Sequence, residues 1–463
     1  MTLDAVVAAN RFGLGARPGE LDRARGDARA WLQQQLVGTR PVPQEIGRLP
    51  ASATIFETYS ELRRDRKEAK ADSAAAKRLL GALRQKLAPY YLDQVAARYR
   101  VAVGTQESFR ERLVHFWTNH FAVSADKPQV LALAGTLENE AIRPHLAGRF
   151  ADMLVAVETH PAMILYLDNQ ASIGPDSQFA QRRNRRAPAG DRKLGINENL
   201  AREILELHTL GVDGGYTQQD VTTFAKALTG WSLGIDRPFA GGEPGKFAFH
   251  DAAHEPGAKT ILGTRYGQSG VEQARAVLAD LARHPATAQH LALKLARHFI
   301  ADEPPADAVE RIGKAFRDSD GDLPTVHRAV LETPAAWASP AVKFKTPHDL
   351  VVSTLRMLDF VPAEPRQIAA PFELLGQRPY APGSPAGWPD TATQWDGSDA
   401  LLKRIEWASS VAGRLAGRDQ PLNLGERSLG ATLNERTRVA ITRAASTEQG
   451  ITLLLASPEF QRR

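Results

Sequence analysis

The chain has 463 residues, 43% hydrophobic and 24% charged, the proportions of an ordinary globular protein long enough for one large body or several lobes. Its net charge of +5 is spread over interleaved acids and bases, which argues against a nucleic-acid-binding stripe. Because there are no cysteines, disulfides, thiolate nucleophiles and cysteine metal ligands are excluded, and a metal site would have to use His, Asp and Glu.

The opening MTLDAVVAANRFGLGARPGE has no basic region followed by an apolar run, so the expectation is a cytoplasmic protein. No later stretch approaches the ~18 apolar residues of a membrane span. From Asp4 to Leu36 the pattern predicts two short helices around the glycine-rich break at Gly13 to Gly19. A proline-bearing linker, Arg40 to Pro50, leads into a helical stretch from Ile55 to Arg100. Its charged middle, ELRRDRKEAKADSAAAKR, reads as a solvated helix hairpin arm, with a docking surface as the alternative.

The next helix carries SFRERLVHFWTNHFAVS. At helical spacing Phe109, Leu113, Phe116 and Trp117 share a face, His120 falls at its centre, and His115 points to the polar side. Helices continue from Gly135 to Ala147 and from Phe150 to Tyr166, after which residues 169 to 195 lose periodicity and gain arginines, the signature of a basic mobile loop.

Asn197 to Trp231 reads as helix, glycine-rich turn and second helix. Leu200, Ile204 and Leu207 form an apolar arc widened by Ala201 and Leu205, with His208 near its middle. Glu198, Arg202 and Glu206 stack on the solvated side, and Asn199 and Glu203 lie on the flank. Gly211 ends the first helix, and Thr217 with Asp220 forms a capping pair for the second. A histidine in an apolar arc is usually a satisfied core residue, but two helices each presenting one raises the case for a site.

Beyond Trp231, the alternation at Phe247 and Phe249 predicts a short hairpin, followed by His250, Asp251, His254 and Glu255. Amphipathic helices return from Gly270 to Ala338. The run Asp318 to Asp322 does not have the spacing of a calcium loop, and Asp322 is better read as a helix cap. Leu374 to Asp390, LLGQRPYAPGSPAGWPD, is an extended strap that must lie over the body, with Trp388 and Trp395 as anchors. The expected fold is therefore mainly α: a multi-helix body with a short β-hairpin insertion and a Pro/Gly-rich strap. Its organisation is an N-terminal helical part (1–168), the basic loop (169–195) and a C-terminal helical part (196–463), together forming one continuous body.

NRFGLGARPGEL, FWTNHFAVS, YLDN, NENLAREILELHTLGVDGGYTQQDV with ALTGW, HEPGAKTILG, HPATA, GDL, KFKTP, LGQRPYAPGSPAGWPD and LLASPEFQRR occur in this order. Together they resemble the bacterial family known as domain of unknown function 1800. The family commonly has Tyr at Leu200 and His-Asp at His254-Glu255. The resemblance implies that a periplasmic location is open, since many members are exported. It also implies a partner, because the genes often neighbour those of a second uncharacterised family similar to sulfatases.

Two functions follow. The first is a binding or scaffold component working with a sulfatase-like partner, placed first because no constellation completes a catalytic template. Its contact surfaces would be the charged helix near Glu61 to Arg84 and the basic segment Arg182 to Arg186. The alternative is an enzyme with a site between helices built from His120, Glu203, His208 and His254. Three imidazoles and a carboxylate suffice for Zn or Fe with an open position, or for acid–base chemistry without metal. Nucleophile-elbow, phosphate-loop and dinucleotide-binding motifs are absent from the sequence.

Overall fold

Helical periodicity becomes helix along most of the chain in the computed structural model, which describes residues 2–68, 73–185, 195–234, 242–415 and 420–463. The fold is mainly α, with two small two-stranded antiparallel sheets among the described residues. None of the described helices is long and apolar enough to cross a membrane. One hydrophobic cluster runs from Val7 to Phe460, so residues from both halves of the chain share a core. Buried ion pairs tie its distant ends together: Arg356 holds Glu20 through bonds of 2.9 and 2.8 Å, with both side chains fully buried.

The expected arm is formed by helices Ser52–Glu68 and Ser73–Gly104, which pack on each other. Its charged centre, residues 62–80, lies outside the described side chains. Helix Ser108–His120 buries Phe109, Leu113, Phe116 and Trp117 as the spacing predicts. His115, expected on the polar side, is buried as well. The reason is that the polar side of this helix faces other polar groups inside the body rather than water.

In the Asn197 to Trp231 stretch, helix Asn199–Glu203 widens into a π-helical turn, Ile204–His208. Leu210 N–H reaches the Leu205 carbonyl at 3.0 Å, and the Thr209 hydroxyl reaches the Ile204 carbonyl at 2.6 Å. The wide turn departs from the 3.6-residue period, so Leu207 is half-buried while His208 and Thr209 are fully enclosed. Gly211 has φ +87°, and a Cβ there would lie 2.9 Å from His290 Nδ1. The reciprocal cap between Thr217 and Asp220 is present, and Asp220 also accepts the Leu262 N–H at 2.7 Å.

Strand β1 (Trp231–Leu233) pairs with β2 (Phe247–Phe249), and β3 (Lys259–Ile261) pairs with β4 (Thr264–Tyr266). The Phe247–Phe249 strand thus finds its partner upstream, across residues 235–241, which lie outside the described residues. Within the segment expected as a basic loop, residues 169–185 and 195 are described. They include a 3-10 turn, Asn169–Ala171, and a helix, Gln178–Asn184, capped by Ser177. Residues 186–194, with Arg186, lie outside the described residues. Asp322 caps its helix by accepting the Thr325 N–H at 3.0 Å.

The strap crosses the body as expected. The Tyr91 hydroxyl donates to the Pro379 carbonyl at 2.9 Å, and Ala125 N–H donates to the Tyr380 carbonyl at 2.7 Å. Asn119 forms a two-point clamp, accepting the Trp388 N–H at 2.7 Å and donating to the Trp388 carbonyl at 2.8 Å. Trp395 is buried and its ring lies 6.1 Å from that of Trp388.

Candidate functional site

Beneath the strap is a cavity of about 340 Å³. One wall is helix Ser108–His120, a second is helix Pro285–Phe299, and a third is the start of helix Pro347–Met357. Helix Pro285–Phe299 presents Lys294, Arg297 and His298 to it, three residues within about one helical turn. Facing them are Arg112 and Asp349 from the other walls and Asp390 from the end of the strap.

The two acids are fully committed. Asp349 Oδ1 is 2.9 Å from Arg112 Nη1, and its Oδ2 is 2.8 Å from Nε of Arg463. Burial alone would raise the Asp349 pKa, but the two guanidinium groups outweigh it and hold the carboxyl well below its usual range. Asp390 Oδ2 accepts from His298 Nδ1 at 2.6 Å, and its Oδ1 faces Lys343 and Arg463, each at 3.5 Å. Here too burial is outweighed, by His298 first, and Asp390 is held at about 2.

The bases are in a different state. Burial lowers the His298 pKa to about 4, so its imidazole is neutral. With Nδ1–H given to Asp390, its Nε2 carries the lone pair and faces Arg112 Nη1 at 3.5 Å. Lys294 has no hydrogen bond or ion pair among the described residues, and burial brings its pKa down to about 8 against the opposing pull of Asp390. Arg297 donates from Nε to the Asp302 carbonyl at 3.1 Å, and its terminal nitrogens have no partner among the described residues. The cavity therefore holds uncommitted positive charge and no uncommitted carboxylate among the acids that line it.

A chain of buried polar groups forms the floor. Tyr99 Oη is 3.1 Å from His348 Nδ1, His348 Nε2 is 3.0 Å from His115 Nδ1, and His115 Nε2 is 3.4 Å from Glu111 Oε1. Tyr99, His348 and His115 are thus joined by hydrogen bonds between neutral groups, whereas His115 Nε2 faces the Glu111 carboxylate at 3.4 Å without a hydrogen-bond partner among the described residues. Burial lowers both histidine pKa values, which agrees with neutral rings.

Glu111, His115 and Glu138 are the described residues that come close enough to hold a metal ion. Their charge is already balanced. Arg143 grips Glu111 at 2.6 and 2.9 Å and reaches Glu138 at 3.3 Å, while Arg98 pairs with Glu138 at 2.9 Å. A cation added there would have to displace two buried guanidinium groups.

Of the residues singled out from sequence, His120 and His208 are brought together, with ring centres 6.2 Å apart. His120 lines the cavity and its Nε2 donates to the His208 carbonyl at 3.2 Å, leaving Nδ1 buried without a partner among the described residues. His208 Nδ1 lies 2.7 Å from Glu158 Oε1, both side chains being fully enclosed. Glu203 stays half-buried on the flank; burial raises its pKa, and the nearby His208 opposes this. His254 belongs to a different neighbourhood, where its Nδ1 donates to the Thr229 carbonyl at 2.9 Å and its ring meets Phe249. No three of His120, Glu203, His208 and His254 offer ligand atoms within 4.8 Å of one another, so these side chains do not form a Zn or Fe centre as they stand.

Lys294, His298, Asp349 and Asp390 were missed from sequence, as was Glu158. A signal existed for the first two: Lys294 and His298 stand four residues apart in HLALKLARHF, where helical spacing puts them on one face. The acids gave no local signal, because each acquires its role from a partner far away in the chain.

A family described as protein of unknown function (DUF1800) matches residues 7–462, nearly the whole chain, and the chain belongs to it. No curated protein and no solved structure matches the chain.

Proposed function

We propose that this member of the DUF1800 family binds a small anionic molecule in the cavity beneath the strap and performs acid–base chemistry on it. The observation that carries this reading is the imbalance of the cavity wall. Asp349 and Asp390 are both engaged in ion pairs, whereas Lys294 and the terminal nitrogens of Arg297 have no partner among the described residues. A partly enclosed cation without a counter-ion is costly, and an anionic ligand removes that cost. The volume of about 340 Å³ is at the small end for ligand sites. His298, neutral and oriented by Asp390, is the acid–base group, in the manner of an imidazole whose tautomer is fixed by a carboxylate.

This is the enzyme alternative of an acid–base site between helices, moved from Glu203, His208 and His254 to residues that face a cavity. Thermal-shift measurements with small carboxylates and phosphate test it, with glycerol as the neutral control. The anions are expected to raise Tm in the wild type and to lose most of that effect in Lys294→Gln and Arg297→Gln. A panel that leaves Tm unchanged removes the reading.

A second reading keeps the binding or scaffold role with a sulfatase-like partner. It is favoured by an apolar groove of about 300 Å³ lined by Leu355, Phe360, Leu374 and Trp407. Phe360 and Leu374 are 45% and 51% exposed there. Purified neighbouring-gene product that fails to bind the immobilised chain at micromolar concentration counts against it.

A further inference from the structure

We propose that Lys294 is the amine of a covalent carbonyl site, forming an imine with a small oxo acid whose carboxylate is held by the terminal nitrogens of Arg297. This deepens the anion-binding reading above and rests on it. Lysines on protein surfaces are hydrated, and buried ones are normally paired. In this chain Lys343 is paired with Asp302 at 2.5 Å, and Lys345 donates to Ser353 at 2.9 Å. Lys294, half-buried, lines the cavity beneath the strap with no partner among the described residues.

Its surroundings keep the nitrogen reactive. Arg297 on the same helical turn and the neutral imidazoles of His120 and His298 supply no anion at contact distance, and Asp390 acts on it only from beyond ion-pair range. With the amine titrating at about 8 rather than 10.5, the free-base fraction at pH 7 rises roughly 300-fold. Desolvated lysines beside another cation are the usual amine nucleophiles of carbonyl chemistry. The reaction balances without a redox partner. The nitrogen lone pair forms a bond to the carbonyl carbon as the C=O π pair moves to oxygen, and one proton passes from nitrogen to that oxygen. The remaining nitrogen lone pair then forms C=N as hydroxide departs, taking up the second nitrogen proton to leave as water. One amine and one carbonyl give one imine and one water.

The site specifies the ligand class. Arg297 offers paired N–H donors suited to a planar carboxylate, and Lys294 stands three residues away on the same helix. A carbonyl adjacent to the carboxylate therefore fits better than a distant one.

Pyruvate with cyanoborohydride tests this on the full chain, read by intact mass and peptide mapping. The expected result is one reduced pyruvate per chain, located at Lys294, with a trapping rate that rises through pH 8. Lys294→Arg should remove the adduct while leaving the melting curve intact. Arg297→Gln should slow trapping of pyruvate about tenfold but leave trapping of acetaldehyde unchanged. Adducts spread over surface lysines, or a yield unaffected by Lys294→Arg, overturn the imine site. Pyruvate that raises Tm without being trapped overturns it as well and leaves the anion-binding reading standing; pyruvate that does neither overturns the imine site, and a flat response to the whole anion panel removes the anion-binding reading too.

Discussion

A buried histidine needs a polar partner, and His120, His208 and His290 meet that need around one helix end. His120 donates to the His208 carbonyl at 3.2 Å and His290 donates to the Leu207 carbonyl at 3.1 Å. These are terminal carbonyls of the π-turn, which lack intrahelical donors, so the imidazoles act as helix C-terminal caps. His208 itself is held by Glu158 at 2.7 Å. Glu158→Ala leaves a fully enclosed imidazole nitrogen without a partner and is expected to lower stability by about 2–4 kcal/mol in urea titration. Glu203→Gln, on the half-buried flank, should change it by less than about 0.5 kcal/mol. Equal effects from the two variants would show that the Glu158 contact is not what holds His208. The burial of His120 and His208 was legible from spacing because a helix arc is a local property. Glu158 was not legible, since it meets His208 across 50 residues of sequence and spacing says which residues share a face but not which faces meet.

At the scale of elements, the strap decides whether the cavity exists. Its proline and glycine content made an extended covering segment legible, but what it covers is assembled from segments far apart in sequence. The clamp at Asn119 needs backbone against side chain, and Gly387 allows it: it has φ +83°, and a Cβ there would stand 2.3 Å from the Asn119 carbonyl oxygen. Gly387→Ala must therefore shift the strap. The expected outcome is a loss of about 1–3 kcal/mol from combined clash and left-handed strain, a red shift in tryptophan emission as Trp388 leaves its contact, and loss of the anion-induced rise in Tm. Gly383, whose added Cβ would meet nothing within 4 Å, is the control, and Gly383→Ala should behave as wild type. Loss of the anion response in both variants would point to a general effect of stiffening rather than to the clamp. The π-turn teaches the same lesson at shorter range. A 3.6-residue reading assigned Leu207 to the buried arc, and the wider turn gave that burial to Thr209.

For the whole molecule, the number of buried bases fixes the shape of its stability against pH. Burial lowers His290 and His298 to about 4 and His327 to about 3, and it takes His120 and His348 well below the ordinary value of 6.5. In the unfolded chain these rings bind protons from pH 6.5 downwards, whereas in the folded chain they do not until far lower. The unfolded state thus holds more protons between pH 6.5 and 4, and stability falls as pH drops through that window. At about 1.4 kcal/mol per pKa unit for each ring, even a fraction of the full effect amounts to several kcal/mol. The paired carboxylates add to the loss only lower down, because Asp390 is held at about 2. The lysines extend the trend upwards. Lys345, lowered by burial to about 7, and Lys294, lowered to about 8, give up their protons in the folded chain above those values, while the unfolded chain keeps them up to 10.5. Stability accordingly continues to rise from pH 7 to about 10, until the buried tyrosines reverse it. Burial raises Tyr91 to about 12 and Tyr380 well above the ordinary value of 10.0, so unfolding is favoured once the phenols of the unfolded chain ionise. Calorimetric melting at constant ionic strength should therefore give a maximum on the alkaline side of neutrality, with the steepest fall between pH 6.5 and 4. A maximum near pH 5 would mean that the imidazoles are charged inside the protein, and the neutral hydrogen-bond chain from Tyr99 to His115 would fall with it.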